Sequence, residues 1–478
     1  MNHPRPATTL RSHFSATATC VALLVACGWP LVAPAANWPG WRGPNGDGTT
    51  TATKNLPETW SPTQNIKWKQ EMPAWSGSSP VVWGDRIFIN SPSKEVAAAP
   101  AETPPPAPPA GPDGKKGKGK GGPGGGRGPA GGSIGGQELL LLCLDRGTGR
   151  ELWRKQVDRG NEFKMHHNSS SPSPVTDGEH VWVVSGNGLI ACFDFAGAEK
   201  WRFNLVEKYG VLGANHGYGS SPVLVDGKLV VQVLHGMKTK EPSYLLALDP
   251  RTGAVVWRVE RATDALFESP DAYTTPAVAM IDGQRQLVVL GGNYLTGHAV
   301  TTGAELWRAG GLNPKNDRTF RVVPSPTVRD GMIFAPTRKI PLLAFRAGGR
   351  GDISTSQLAW SWTDQRSAPD VPSPVSDGKY FYMAGDNGTI TCLDAKTGAV
   401  IYGPEDTGVG RTWGSPIIAD GKIYLTGQTA ETAVIQAGAA YQLLGKNSLD
   451  GSYTLCTPAF ADGEIFIRTG THLYCVTK

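Results

Sequence analysis

Three histidines, His166, His167 and His216, fall in two consecutive segments that each run into a Ser-Pro pair. Charged and aromatic groups occupy the matching places further along: Glu268 and Asp271 in the next segment, then Arg321, Asp370, and Arg411 with Trp413. Two imidazoles and a carboxylate are a donor set for a divalent cation. Metal sites built on one element use tight spacings such as H-x-x-H, however, and this pattern is absent, so no metal site is expected. Guanidinium forks match carboxylate or phosphate oxygens, which makes Arg321 and Arg411 candidates for holding an anionic ligand. The ordinary alternative for the whole set is hydrogen bonding to backbone groups around a wet channel. No member of the set is assigned a catalytic role.

A repeat must position these residues. A strand-start pair recurs at Ser79-Pro80, Ser173-Pro174, Ser221-Pro222, Thr275-Pro276, Ser325-Pro326, Ser373-Pro374, Ser415-Pro416 and Thr457-Pro458. Successive starts lie 42 to 54 residues apart, except the first interval of 94, which contains a low-complexity insertion at 93–136. After each start come a short β-branched strand, in several units an Asp-Gly turn (Asp177-Gly178, Asp226-Gly227, Asp377-Gly378, Asp420-Gly421, Asp462-Gly463), and an alternating apolar strand. Asp-Gly supplies the positive φ angles of tight hairpins, so each unit is an antiparallel meander. Meanders of this kind bury both faces only by stacking radially. The expected fold class is therefore all-β: an eight-bladed β-propeller of four-stranded antiparallel blades, spanning 37–478. The loops before the Ser/Thr-Pro pairs then converge on one axial face.

The third strand of several units ends in a further pattern. CLDRGTGRELW supplies Asp145, Gly149 and Trp153; ALDPRTGAVVW supplies Asp249, Gly253 and Trp257; CLDAKTGAVIY supplies Asp394, Gly398 and Tyr402 in the tryptophan place. CFDFAGAEKW, with Asp194 and Trp201, and AVTTGAELW, with Trp307, are shortened forms. The Asp accepts N–H groups of the turn, the Gly takes a left-handed conformation, and the aromatic residue is carried onto the adjacent blade. These positions are expected to dock blades. The eighth unit stops at LYCVTK without a fourth strand, and Ile66-Lys67-Trp68-Lys69-Gln70-Glu71 resembles the outer strand of the others. An N-terminal strand is thus expected to close the last blade, with residues 37–60 lying across the outside.

With this tryptophan-docking motif, the region from about residue 37 onward resembles the PQQ-like repeat proteins. Two groups share the motif: BamB-type outer-membrane assembly lipoproteins and, more distantly, quinoprotein alcohol dehydrogenases. The first resemblance implies a non-catalytic cell-envelope scaffold whose polar axial face binds a protein or a small anionic ligand, without cofactor. The alternative is an enzyme using PQQ with calcium, for which Trp413 is a conceivable floor. That resemblance also implies an adjacent cysteine pair and, in haem-bearing members, C-x-x-C-H, and the chain has neither. A carbohydrate-binding propeller is a second alternative, requiring exposed tryptophans beyond those used for docking.

Bulk properties narrow the partners. The net charge of +5, partly concentrated in the insertion, is too weak to argue for nucleic acid. The Ala/Pro then Gly/Lys composition of 93–136 reads as a disordered loop of the first blade. Arg5, Arg11, the apolar run VALLVAC and Ala33-Pro34-Ala35 read as a signal peptide over 1–36, cleaved after Ala35 or Ala36. In the alternative, Leu24-Val25-Ala26-Cys27 is a lipobox and Cys27 carries a lipid anchor. Either way a monomer is expected that is secreted, periplasmic or outer-membrane associated, with no transmembrane span. Cys143, Cys192, Cys392, Cys456 and Cys475 are odd in number and mostly share one strand position, which suits small buried side chains better than disulfides.

Overall fold

Eight sheets arise from the eight Ser/Thr-Pro units, each with four antiparallel strands, and two are extended by a short parallel fifth strand (Thr49–Thr50 and Gly351–Asp352). The computed structural model describes Met1 and residues 36–95, 133–164 and 166–478. The signal peptide, Cys27 and most of the 93–136 insertion lie outside the described residues. In blade 1 the order from the axis outward is Val81–Trp83, Arg86–Pro92, Glu138–Asp145 and Glu151–Arg159. Blade 8 consists of Ala459–Ala461, Glu464–Arg468, His472–Val476 and, as its outermost strand, Ile66–Glu71. That last strand runs antiparallel with Ile66 opposite Val476 and Glu71 opposite His472, so the N-terminal strand closes the ring. Among the described residues no helix is long and apolar enough to cross a membrane.

The Asp-Gly pairs divide into two turn geometries. Asp226-Gly227, Asp420-Gly421 and Asp462-Gly463 have positive φ at both residues, the mirror-image turn whose twist suits a hairpin. At Asp177-Gly178 and Asp377-Gly378 only the glycine is left-handed. There the carboxylate caps the loop instead: Asp177 Oδ1 accepts from Glu179 and His180 N–H at 2.9 and 2.8 Å.

Between blades, the indole nitrogen reaches the turn of the following unit. Trp68 Nε1 donates to Arg146 O at 2.8 Å, Trp153 to Phe195 O at 2.9 Å, Trp201 to Pro250 O at 2.9 Å and Trp257 to Val300 O at 3.0 Å. Each indole lies on the turn glycine: a Cβ at Gly149, Gly197, Gly253 or Gly303 would sit within 3.0 Å of indole atoms of Trp68, Trp153, Trp201 and Trp257 respectively. Trp360, in a blade without the full motif, makes the same contact with Gly398 and Ala395 O. Within the turns, Asp145, Asp249 and Asp394 accept from the N–H groups of Thr148, Thr252 and Thr397, each at 2.9 Å, and Asp194 accepts from Ala198 at 2.8 Å. Tyr402 packs on Tyr441 of blade 7, with ring centroids 5.9 Å apart. Trp307 departs from its expected role. The unit after it has no Thr-Gly turn to receive an indole, so Trp307 folds back over Gly297 of its own sheet and donates to Gln286 Oε1 at 2.8 Å.

Of the segment expected outside, Glu58–Trp60 do run beside the outer strand Leu443–Asn447 of blade 7, but residues 38–50 do not lie outside. Trp38 pairs with Val82 of blade 1, Pro39 O accepts from Thr176 of blade 2, and the buried Arg42 reaches Thr327 of blade 5 and Pro374 O of blade 6. Asp47 meets Arg329 of blade 5 at 3.1 Å, and Thr49–Thr50 adds a short parallel strand beside Ile417–Ala419 of blade 7. Residues 38–50 therefore form a strap across the inner strands of most of the ring. Four Gly residues, three of them left-handed (Gly43, Gly46 and Gly48), let a short chain cross the axis, and Trp38 and Arg42, both 1% exposed, anchor it.

Candidate functional site

The Ser/Thr hydroxyls of the repeat form a closed ring about the axis. Ser79 N–H donates to Ser173 Oγ at 3.0 Å, Ser173 to Ser221 at 3.0 Å, Ser221 to Thr275 at 3.1 Å and Thr275 to Ser325 at 2.8 Å. Ser325 continues to Ser373 at 2.9 Å, Ser373 to Ser415 at 3.0 Å, Ser415 to Thr457 at 3.1 Å, and Thr457 returns to Ser79 at 3.0 Å. Each hydroxyl thus accepts the backbone N–H of the preceding blade. Alanine there would orphan a buried donor, which explains why Ser or Thr precedes every one of these prolines. Because a hydroxyl both accepts and donates, each retains its own proton, and among the described residues none of the eight donates it to a protein atom.

This ring lines a cavity of about 200 Å³. Trp41 of the strap forms part of its wall, and His166, His167, His216, Tyr273, Arg321 and Trp413 surround it. Six of the nine sequence-selected residues divide between wall and support: three histidines, Arg321 and Trp413 meet at the cavity, while Glu268 stands behind them. Glu268 Oε1 lies 3.4 Å from His216 Nε2 and 3.7 Å from Arg321, and accepts from Asn215 Nδ2 at 3.1 Å. Asp271 is fully buried away from the cavity, accepting from Asn215 N–H at 2.6 Å and Met237 N–H at 3.1 Å. Burial pushes its carboxyl up to about 6. Asp370 does not line the cavity and pairs with Arg338 at 3.5 Å, close enough for its charge to act on His166, and Arg411 is exposed at the rim, 6.0 Å from the Trp413 ring.

Trp413 is held from two sides. Its Nε1 donates to Asp386 Oδ2 at 3.0 Å, and His166 packs edge-on against the indole at 4.4 Å. Asp386 also accepts from the N–H groups of Asp370 and Val371, and its carboxyl is shifted upward by burial and by Asp370. Tyr273 accepts the His216 backbone N–H at 2.9 Å. The three imidazoles are held toward the neutral form. Burial dominates in each, bringing His167 to about 4, and Arg321 adds to the effect at His166 and His216. The ring nitrogens of His167 approach backbone groups of Asn168 and His216 without closing a well-aligned hydrogen bond. Arg321 is then the cation of the cavity wall. Its N–H groups donate to no protein atom among the described residues, and the Glu268 contact at 3.7 Å is too long for a hydrogen bond.

Tyr273, Asp386, Trp41 and the hydroxyl ring were not singled out from sequence. The ring had a signal, the recurrence of a hydroxyl before each proline, but it reads equally as a strand start. Tyr273 lies two residues before its Thr-Pro pair, the same repeat position that Trp413 holds before Ser415-Pro416, and that correspondence was the signal available for it.

The family model described as outer membrane protein assembly factor BamB matches residues 138–402 and 245–478. The chain belongs to this family. Among solved structures, BamB from Moraxella catarrhalis is similar at 14% identity and a TM-score of 0.50, covering 72% of this chain and 92% of that one. A quinohemoprotein alcohol dehydrogenase from Comamonas testosteroni is similar at 10% identity and 0.58, covering 93% and 81%. The computationally designed protein Ika8 is similar at 10% and 0.53, covering 86% and 99%. At such identities the likeness is one of fold, shared by the BamB-like family and a quinoprotein alike. No curated protein matches.

The residues around the cavity do not fit PQQ with calcium. A calcium ion takes six or more oxygen ligands, several of them carboxylate. The buried carboxylates nearest the axis, Asp271 and Asp386, already accept backbone and indole N–H groups, and Glu268 is engaged by Asn215 and His216. Among the described residues no three His, Cys, Asp or Glu side chains converge as metal ligands, and the five described cysteines are separate and buried.

Proposed function

We propose that this member of the BamB-like family is a non-catalytic binding propeller of the cell envelope, whose axial cavity holds a small anionic ligand. The observation that carries the reading is Arg321: a guanidinium lining a half-open cavity, backed by Glu268 at 3.7 Å but with no side-chain hydrogen bond to a protein atom among the described residues, in a wall that also offers eight hydroxyl protons. Its N–H donors are therefore free to meet an anion that enters from solvent.

Envelope location rests on the family and on the N-terminal export pattern. Partners of the loop face would be envelope proteins, as expected from BamB-type relatives, with the chain acting as a monomer. The test is calorimetric titration of purified protein with small anions, comparing wild type with Arg321→Gln. Saturable binding that the substitution weakens supports the reading; no heat with any anion refutes it. Fractionation of expressing cells, with palmitate labelling at Cys27, tests the envelope assignment separately.

A further inference from the structure

We propose that the axial cavity selects a small aromatic monocarboxylate, its carboxylate on Arg321 and its ring against Trp413 and Tyr273. The inference rests on the anion-binding reading above and adds the class of anion. Three features carry it. The first is size: a half-open cavity of about 200 Å³ has room for a one- or two-ring acid.

The second is the character of the wall. Trp41, Tyr273, Val323, Val371, Trp413 and Leu455 give it broad apolar and aromatic surface. Two of the aromatic planes are fixed before any ligand arrives, Trp413 by Asp386 and His166, Tyr273 by the His216 backbone. Fixed rings favour a planar partner, which gains stacking or edge contacts without ordering the site.

The third is charge. One guanidinium faces the cavity, Glu268 supports it from behind, and the neighbouring imidazoles are neutral. A monocarboxylate matches one guanidinium. Arg321 is the one cation lining the cavity, so a single carboxylate matches it more closely than a dianion, whose second charge would have to reach out to Arg411 at the rim. The carboxylate also finds hydroxyl donors in Ser325 and its ring neighbours, whose protons are otherwise unused.

The experiment titrates purified protein with indole-3-carboxylate, benzoate, cyclohexanecarboxylate, acetate, inorganic phosphate and benzamide, following heat and tryptophan fluorescence. The expected result is one site per chain that binds the aromatic acids at least about tenfold more tightly than acetate, phosphate or cyclohexanecarboxylate, with benzamide weaker still. Arg321→Gln should weaken every acid, whereas Trp413→Leu should weaken the aromatic acids several-fold more than acetate and so erase the aromatic preference. Thermal melts of both variants establish that they are folded, and Arg321→Lys, which keeps the charge, should retain part of the binding. Equal binding of acetate or phosphate overturns the aromatic assignment and leaves the anion reading standing. Equal binding of benzamide, or no binding by any acid, overturns both.

Discussion

Gly149 and Gly283 have the same backbone conformation, φ +74°, but different surroundings. A Cβ at Gly283 meets nothing within 4 Å, whereas one at Gly149 would lie 2.5 Å from Trp68 Cε3 and 2.7 Å from Cδ2. Alanine at Gly283 therefore incurs only the left-handed penalty of an L-residue, about 1–2 kcal/mol. At Gly149 the same penalty applies, and the indole must also move. Overpacking adds about 1–3 kcal/mol, and loss of the 2.8 Å bond from Trp68 Nε1 to Arg146 O adds about 1 kcal/mol. Gly149→Ala should thus destabilise by about 2–4 kcal/mol more than Gly283→Ala, the conformational term cancelling in the comparison. Thermal melts are a poor readout, because unfolding entropy grows with chain length and 1 kcal/mol shifts the midpoint of so large a ring by only about 1 °C. Urea midpoints at constant slope are the better measure. Since Trp68 belongs to the closing strand and Gly149 to blade 1, the extra loss would be that of the ring's seam. Equal destabilisation of the two variants, within about 0.5 kcal/mol, would refute the claim that indole docking on the turn glycine sets the blade contact.

Other consequences concern the ring, the thiols and pH. Ser221→Ala leaves the buried Ser173 N–H without its acceptor and should cost about 1–3 kcal/mol, read from the urea midpoint; a neutral outcome would mean that water replaces the hydroxyl. Cys143, Cys192 and Cys392 are buried with thiols pushed up to about 12, so a thiol reagent at pH 8 should label them only at the rate of unfolding, followed by mass spectrometry. His167 and His298 are both brought down to about 4 by burial. Their unfolded forms take up protons near pH 6.5 and the folded forms near pH 4, so stability should be full above 6.5 and fall between 6.5 and 4. His298→Gln should flatten that part of the profile, measured as urea midpoint against pH.

Which parts of this were legible in sequence follows from how local each device is. The blade count could be read because every inner strand begins with the same pair, and the Asp-x-x-Thr-Gly turn because its hydrogen bonds stay within a few residues. Closure was legible because Ile66–Glu71 copies the outer strand that the eighth unit lacks. Trp307 could not be placed from its own unit: its orientation depends on a turn that the next unit does not have. The strap escaped for a similar reason, since Trp38, Arg42 and Asp47 find partners in blades 1, 5 and 6 that lie far along the chain. Of the rim residues, the histidines and Arg321 were recognised by type. That Asp271 and Asp386 are consumed by backbone donors is visible only once the loops are folded.

The division between repeated and unrepeated positions bears on function in a way neither group does alone. An eightfold ring of hydroxyls is nearly symmetric about the axis, and a symmetric wall gives a bound molecule no preferred orientation. Arg321, contributed by one loop, breaks that symmetry with a full charge, and Trp413 and Tyr273 break it again with flat apolar faces. Glu268 matters here although it does not line the cavity. At 3.7 Å from Arg321 it is close enough to steady the guanidinium and too far to use up its donors. Glu268→Gln should accordingly weaken acid binding through orientation while keeping the charge, whereas Arg321→Gln removes the charge itself. If Glu268→Gln instead tightened binding, the carboxylate would be competing with the ligand for Arg321 and not positioning it, a result that calorimetry on the same panel of acids would decide.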